Sequence, residues 1–327
     1  KRRYTKRYSD LELRQLRALQ RAYSGPRGPE LLVFGDSIMI WSAPEDEDRG
    51  HMTQVIRDEV GGGARMHSVV GAGYSARIII PFLTALRDCP SKPRVVIVPV
   101  SSPLASRTWQ AHPILGYERV AASLQKVVDE RDTKCRKLDR PLDYGGRNGQ
   151  KAMPADPAWD AYDRMPAPSL IGIKRTVGEL RLLVNATPQT RWQKLVRFRH
   201  MLDYHQAERL EPDTPGVELV GQMGALLREL RVLSVGYVAP INYELAGKLL
   251  GPTVPEHIAR NVEVVSKVFR DAVGDTGALV NEAFAAKADD FSDMAHVNAA
   301  KRRSLAVEIA VAVKKLMANA EGSSGER

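Results

Sequence analysis

Five short apolar runs punctuate this chain: Leu31-Leu32-Val33-Phe34, Ser68-Val69-Val70, Val95 to Val100, Val232 to Val238 and, more weakly, Ala278-Leu279-Val280. They lack the in-out alternation of half-exposed strands and read as strands buried on both faces. Helical periodicity fills most of the gaps, over Met52 to Val60, Ile78 to Arg87, Gly116 to Arg131, Val217 to Arg228 and Pro255 to Val273. A last helix over Ala299 to Met317 puts Leu305, Ile309, Val313 and Leu316 on one face. Strands that alternate with helices pair in parallel through crossovers. The expected fold is therefore α/β, a three-layer α/β/α arrangement around a mostly parallel five-stranded sheet.

At the front, Ser9 to Tyr23 reads as a helix opened by a Ser9-x-x-Glu12 capping box, with Leu13, Leu16, Leu19 and Tyr23 on one face, and Gly25-Pro26-Arg27-Gly28-Pro29 ends it. The alternation breaks between about 134 and 215. No strand pattern occurs there, and the segment from Leu170 to Glu208 turns basic and helical. It lacks the apolar periodicity for a core of its own, so it reads as an insertion carried on the loop side of the sheet. The expected organisation is a basic N-terminal helix over 1–28, an α/β/α domain over 29–317 with 134–215 inserted, and a disordered tail over 318–327.

Composition narrows the class. A chain of 327 residues that is 43% hydrophobic and 27% charged is ordinary globular material, and no stretch of 18 apolar residues provides a membrane span. The net charge is +9, but it is local: residues 1–28 hold nine Lys/Arg against two acids (+7) and 171–200 hold seven against one (+6), so the remainder sums to −4. With no zinc-finger spacing, no RNP-like aromatic run and no basic zipper, nucleic acid is not an expected partner. The basic segments instead suit an anionic substrate or carrier. Cys89 and Cys135 make neither a C-x-x-C nor a zinc spacing, which leaves room for one disulfide at most. The run Lys1-Arg2-Arg3 with Lys6-Arg7 favours a cytoplasmic location, the alternative being an anchored or exported protein whose leading segment was removed.

The chemistry gathers at two loops. Gly35-Asp36-Ser37 follows the first buried run, at the carboxyl end of the sheet where open α/β folds place their ligands. Far along the chain, Phe291-Ser292-Asp293-Met294-Ala295-His296-Val297-Asn298 carries a carboxylate and an imidazole three residues apart, just before the last helix. A serine hydroxyl needs a base such as His, oriented in turn by a carboxylate, to act as a nucleophile at neutral pH. Other clusters are blander. Glu45-Asp46-Glu47-Asp48 reads as a solvated loop, Gly61-Gly62-Gly63 lacks the Lys-Ser/Thr of a phosphate loop, and His200 and His205 have no carboxylate pattern to fix a metal. No metal or cofactor is expected.

The order of these blocks resembles the SGNH, or GDSL, hydrolase superfamily over about residues 30–317, which implies an SGNH/flavodoxin-like sheet. The resemblance implies Ser37 as nucleophile, His296 as general base and acid, and Asp293 as the third member of a triad. Its second block is similar to Val69-Val70-Gly71-Ala72-Gly73-Tyr74-Ser75, with the Gly73 amide beside that of Ser37 in an oxyanion hole and Gly71 as second choice. The third block departs from the pattern: the family places an Asn after the third strand, whereas here Ser101 stands at that position, followed by Ser102-Pro103. Loss of one oxyanion donor costs on the order of 10²–10³ in rate. Either Ser101 or Ser102 donates, or Asn242 substitutes, or activity is weak. Trp109 with His112-Pro113, and Ala239-Pro240-Ile241-Asn242-Tyr243, are similar to the DltD-like branch of acyl-modifying proteins, and Asp36, Asn242 and Trp109 are the expected substrate-binding residues. The function so implied is a serine-dependent acyl-ester hydrolase or O-acyltransferase working through an acyl-enzyme on an ester or acyl-donor substrate. The alternative is a weak or inactive binding protein on the same fold.

Overall fold

The computed structural model describes residues 2–41, 50–61, 63–130, 157–293 and 295–322, and side chains from residue 11 on. Five strands, β1 (Leu31–Gly35), β2 (Met66–Val70), β3 (Val95–Pro99), β4 (Leu233–Val238) and β5 (Gly277–Asn281), form one sheet in the order β2-β1-β3-β4-β5. Every pairing is parallel, with Leu31 opposite both Met66 and Val95, Val95 opposite Leu233, and Ser234 opposite Gly277. The strand order reverses beside β1, so the crevice at the carboxyl ends of β1 and β3 is the topological switch point, where such sheets bind ligands.

Helices alternate with these strands: α1 (Arg2–Ala22), α2 (Ser37–Ile40), α3 (Met52–Val60), α4 (Ala76–Arg87), α5 (Ser102–Ala105), α6 (Arg107–Gln110) and α7 (Glu118–Asp129). There follow α8 (Pro157–Arg164), α9 (Val177–Asn185), α10 (Arg191–Gln206), α11 (Pro215–Glu229), α12 (Tyr243–Leu250), α13 (Val254–Val273) and α14 (Ala299–Gly322). Alternate strand residues feed two separate cores, as a doubly covered sheet requires. Leu32, Phe34, Val96 and Val98 pack with Leu16 of α1, Phe82 of α4, Leu227 of α11 and Phe269 of α13. Leu31, Val33, Val95 and Ile97 pack on the other face with Ile56 of α3 and Leu305, Ile309 and Val313 of α14. The expected three-layer α/β/α architecture is present, and its strands fall on the apolar runs.

Three local expectations are corrected. Helix α1 starts at Arg2, so Ser9 lies inside it rather than at its start; no Gly or Pro interrupts residues 2–8, and Glu12 turns inward to accept from the Tyr74 hydroxyl at 3.1 Å. The insertion, expected to hold no strand, contains a two-residue antiparallel ladder of Pro166–Ala167 with Arg175–Thr176. Helix α14 continues to Gly322 rather than ending at Met317, because Arg94 Nη2 donates to the Met317 carbonyl at 3.2 Å and to Glu321 Oε1 at 2.7 Å, holding its final turn. Cys135, the acidic run over 45–48 and the rest of 131–156 lie outside the described residues. Cys89 is buried, its thiol donating to the Ala85 carbonyl at 3.3 Å. Among the described residues, no helix is long and apolar enough to cross a membrane.

Candidate active site

Strand β1 delivers Ser37 through a turn whose geometry its neighbours dictate. A Cβ on Gly35 would lie 2.4 Å from Met39 Cγ, so only glycine lets the chain fold back this tightly at the strand end. Asp36 then caps α2, its carboxylate accepting from the Ile38 amide at 3.0 Å. Burial pushes the Asp36 carboxyl up to about 6, against the pull of the Ile38 amide and of nearby His296. The Tyr237 hydroxyl is buried beside it, and burial followed by the Asp36 charge keeps that phenol neutral.

The loop before α14 brings the second half. An isolated antiparallel bridge between Phe291 and Val297 pinches its ends together, and the Ser292 amide donates to the His296 carbonyl at 3.0 Å. Inside this pinch Asp293 accepts three hydrogen bonds: from the Ala295 and His296 amides, each at 2.7 Å, and from His296 Nδ1 at 2.8 Å. Burial works against the Asp293 charge, but these bonds outweigh it and hold the carboxyl below its usual range. His296 Nε2 lies 3.1 Å from Ser37 Oγ. With Nδ1–H committed to Asp293, the lone pair on Nε2 faces the serine hydroxyl. The two loops, 259 residues apart in sequence, thus meet in a Ser37–His296–Asp293 chain of hydrogen bonds. The His296 side chain keeps 20% of its surface exposed and that of Asp293 38%, so the group opens to solvent.

One member of this cluster escaped the sequence reading. The Trp41 indole stacks on the His296 ring, with centroids 4.3 Å apart and planes 22° from parallel. Its carbonyl accepts from Nη1 of buried Arg302 at 3.0 Å, which ties the end of α2 to the first turn of α14. The only sequence clue was position: Trp41 comes four residues after Ser37, one helical turn along.

The turn after β2 is the second expected element. Gly73 has φ +71, a left-handed conformation that favours glycine, and a Cβ there would come within 2.7 Å of Trp109 Cζ2. Tyr117 Oη donates to the Ala72 carbonyl at 2.6 Å, and Gln15 Nε2 donates to the Val70 carbonyl at 2.9 Å, fixing the turn from α7 and α1. Neither the Gly73 amide nor that of Ser37 has a hydrogen-bond partner among the described residues. Gly71, the second choice, sits beneath the Tyr74 ring and its amide donates to the Gly35 carbonyl at 3.1 Å.

Ser101 starts α5 with no side-chain capping bond and lines a small pocket together with Ser75, Gln110 and Gly216. Ser102 is buried, its hydroxyl without a partner among the described residues. Neither Ser37 nor His296 lines that pocket. Asn242 is buried at the start of α12, where its side-chain oxygen accepts from the Leu245 amide at 3.3 Å. Trp109 lies over Gly73 and packs against His205, with ring centroids 5.7 Å apart. Burial and then His112 bring the His205 imidazole down to about 4, which leaves it neutral. Among the described residues, no group of three or more His, Cys, Asp or Glu is placed to hold a metal ion.

Neither the protein-family models nor the curated proteins contain a match to this chain. Its sheet order and layers agree with hydrolase-type α/β folds, and with the SGNH fold in general terms.

Proposed function

We propose that this protein is a serine-dependent acyl hydrolase or O-acyltransferase of the SGNH type, the superfamily its sequence blocks resemble. The observation that carries this reading is the hydrogen-bonded chain from Ser37 Oγ through His296 to Asp293, at 3.1 and 2.8 Å. These distances are within reach for proton transfer. As Ser37 Oγ attacks an ester carbonyl, its proton passes to His296 Nε2, and Asp293 stabilises the imidazolium and keeps Nδ1 protonated. The oxyanion that forms takes hydrogen bonds from the free amides of Ser37 and Gly73, with a serine hydroxyl of the β3 loop as third donor. His296 then protonates the departing alkoxide. Water or an acceptor hydroxyl, deprotonated by the same imidazole, releases the acyl group. Trp41 stacks on the ring that becomes positive, a face-on contact that favours the cation.

The test is covalent labelling. Intact protein treated with a fluorophosphonate gains one adduct on Ser37, and Ser37→Ala gains none. If wild-type protein stays unmodified, or if Ser37→Ala labels equally, the catalytic reading fails. The non-catalytic binding protein favoured by the missing Asn then takes its place. Faster deacylation by sugar or alcohol acceptors than by water selects the transferase.

A further inference from the structure

The α9–α10 hairpin stands proud of the body. From Leu182 to Leu195 every residue except Val184 and Pro188 is exposed, although two capping boxes, Thr176 with Glu179 and Thr190 with Gln193, fix both helix starts. The projecting tip carries large apolar side chains: Leu182 is 69% exposed, Trp192 72%, and Leu183 and Leu195 are also exposed. Beside them stand the exposed cations Arg191 and Lys194, with Arg199 one turn beyond Leu195 on α10, none of which has an ion-pair partner among the described residues. The same stretch contains no acid between Glu179 and Asp203. Several surface cations elsewhere are matched within reach of an acid, as in Arg94 with Glu321, Lys267 with Asp271 and Arg270 with Glu263.

We infer that this hairpin tip is a docking surface for an anionic lipid bilayer. An exposed Trp and three Leu on a protrusion flanked by unpaired Lys and Arg match what an interfacial segment presents: apolar groups entering the acyl boundary while cations meet headgroup charge. Exposed apolar groups set among cations with no acid nearby suit a bilayer, whose acyl boundary and anionic headgroups take both at once. The attachment is peripheral, and its attraction weakens with salt. It stands apart from the reading of Ser37.

The test uses the whole chain with vesicles of phosphatidylglycerol and phosphatidylcholine in equal parts, against vesicles of phosphatidylcholine alone. Co-sedimentation is expected with the anionic vesicles at low salt and little with the neutral ones. Arg191→Glu with Lys194→Glu lowers apparent affinity by more than about tenfold. Arg197 is spared because its Nε donates to the Val184 carbonyl at 2.9 Å and braces the hairpin. Brominated lipid quenches part of the tryptophan fluorescence, and Trp192→Phe, a mild exposed change, removes that quenching. No preference for anionic vesicles, full binding by the charge-reversed protein, or quenching that survives in Trp192→Phe overturns the proposal. So does polyglutamate that binds the tip while vesicles do not, an outcome that assigns the surface to an acidic protein.

Discussion

At the end of β1 the charged and titratable side chains of the candidate site are held from within the fold. Asp293 holds three hydrogen bonds, Asp36 holds the start of α2, and the His296 nitrogens face Asp293 and Ser37. At the α9–α10 tip, three cations have no ion-pair partner among the described residues, and four large apolar side chains stand exposed. A group bound from several sides is fixed in position, which chemistry needs. A group left exposed adds almost nothing to folding but stays available to something outside. The two regions divide the molecule into a preorganised cluster and an attachment surface, and mutations should separate them.

The largest effect is expected at Asp293. In Asp293→Asn the side-chain oxygen can still accept from the Ala295 and His296 amides, so the loop keeps its shape, but an amide NH₂ replaces the oxygen that faces His296 Nδ1. The imidazole then turns to the other tautomer, with Nε2 protonated toward Ser37. The rate of phosphonylation at Ser37 should fall by on the order of 10³–10⁴ while vesicle binding is unchanged. A loss under about tenfold would mean that the hydrogen-bonded chain is structural.

Much of this cluster was legible because its parts are local: Gly35-Asp36-Ser37 ends an apolar run, and Asp293 and His296 share one short loop. The sheet was legible for the same reason, since each buried strand is a contiguous apolar word. Trp41 was not, because its partner His296 is 255 residues away and only the packing of α14 against α2 and α3 brings them together. The start of α1 was misplaced because Ser9-x-x-Glu12 satisfies a local rule that the buried Glu12–Tyr74 bond overrides. The insertion was legible as basic and helical. What its sequence could not reveal was which cations find acids, as Arg181 does with Asp163, and which do not.

Asp36 gives the next effect, and it is one of stability. Its carboxyl titrates at about 6 in the fold against 3.8 ordinarily, so between those values the folded chain binds more protons than the unfolded one. Stability from this group is therefore fully present below about pH 4, falls as pH rises, and is lost above about 6. Asp36→Asn retains an oxygen for the Ile38 amide without the buried charge. Chemical denaturation should find it more stable than wild type by about 2–3 kcal/mol at pH 8 and nearly equal at pH 4. Equal stability at both would mean that water or a neighbour compensates the buried charge. Trp41→Ala comes third. Removing the stack should slow acylation by about 3- to 30-fold, with Trp41→Phe recovering most of it because an aromatic face remains. No difference between the two variants would reduce Trp41 to packing.

The smallest effect is the one that most sharply separates the two regions. Phe269 is fully buried between α13 and the sheet, and Phe269→Ala should cost about 3–5 kcal/mol because it removes transfer energy and leaves a cavity. Trp192 is a larger ring, yet its surface is mostly in water already, so its truncation to alanine leaves no cavity to collapse. Trp192→Ala and Lys194→Glu should each shift unfolding free energy by less than about 0.5 kcal/mol. Denaturation midpoints measured side by side decide the matter. If either exposed substitution destabilises the fold by more than about 1 kcal/mol, the hairpin tip is packed against the body in solution. The contrast between a fixed cluster and a free surface would then collapse at that point.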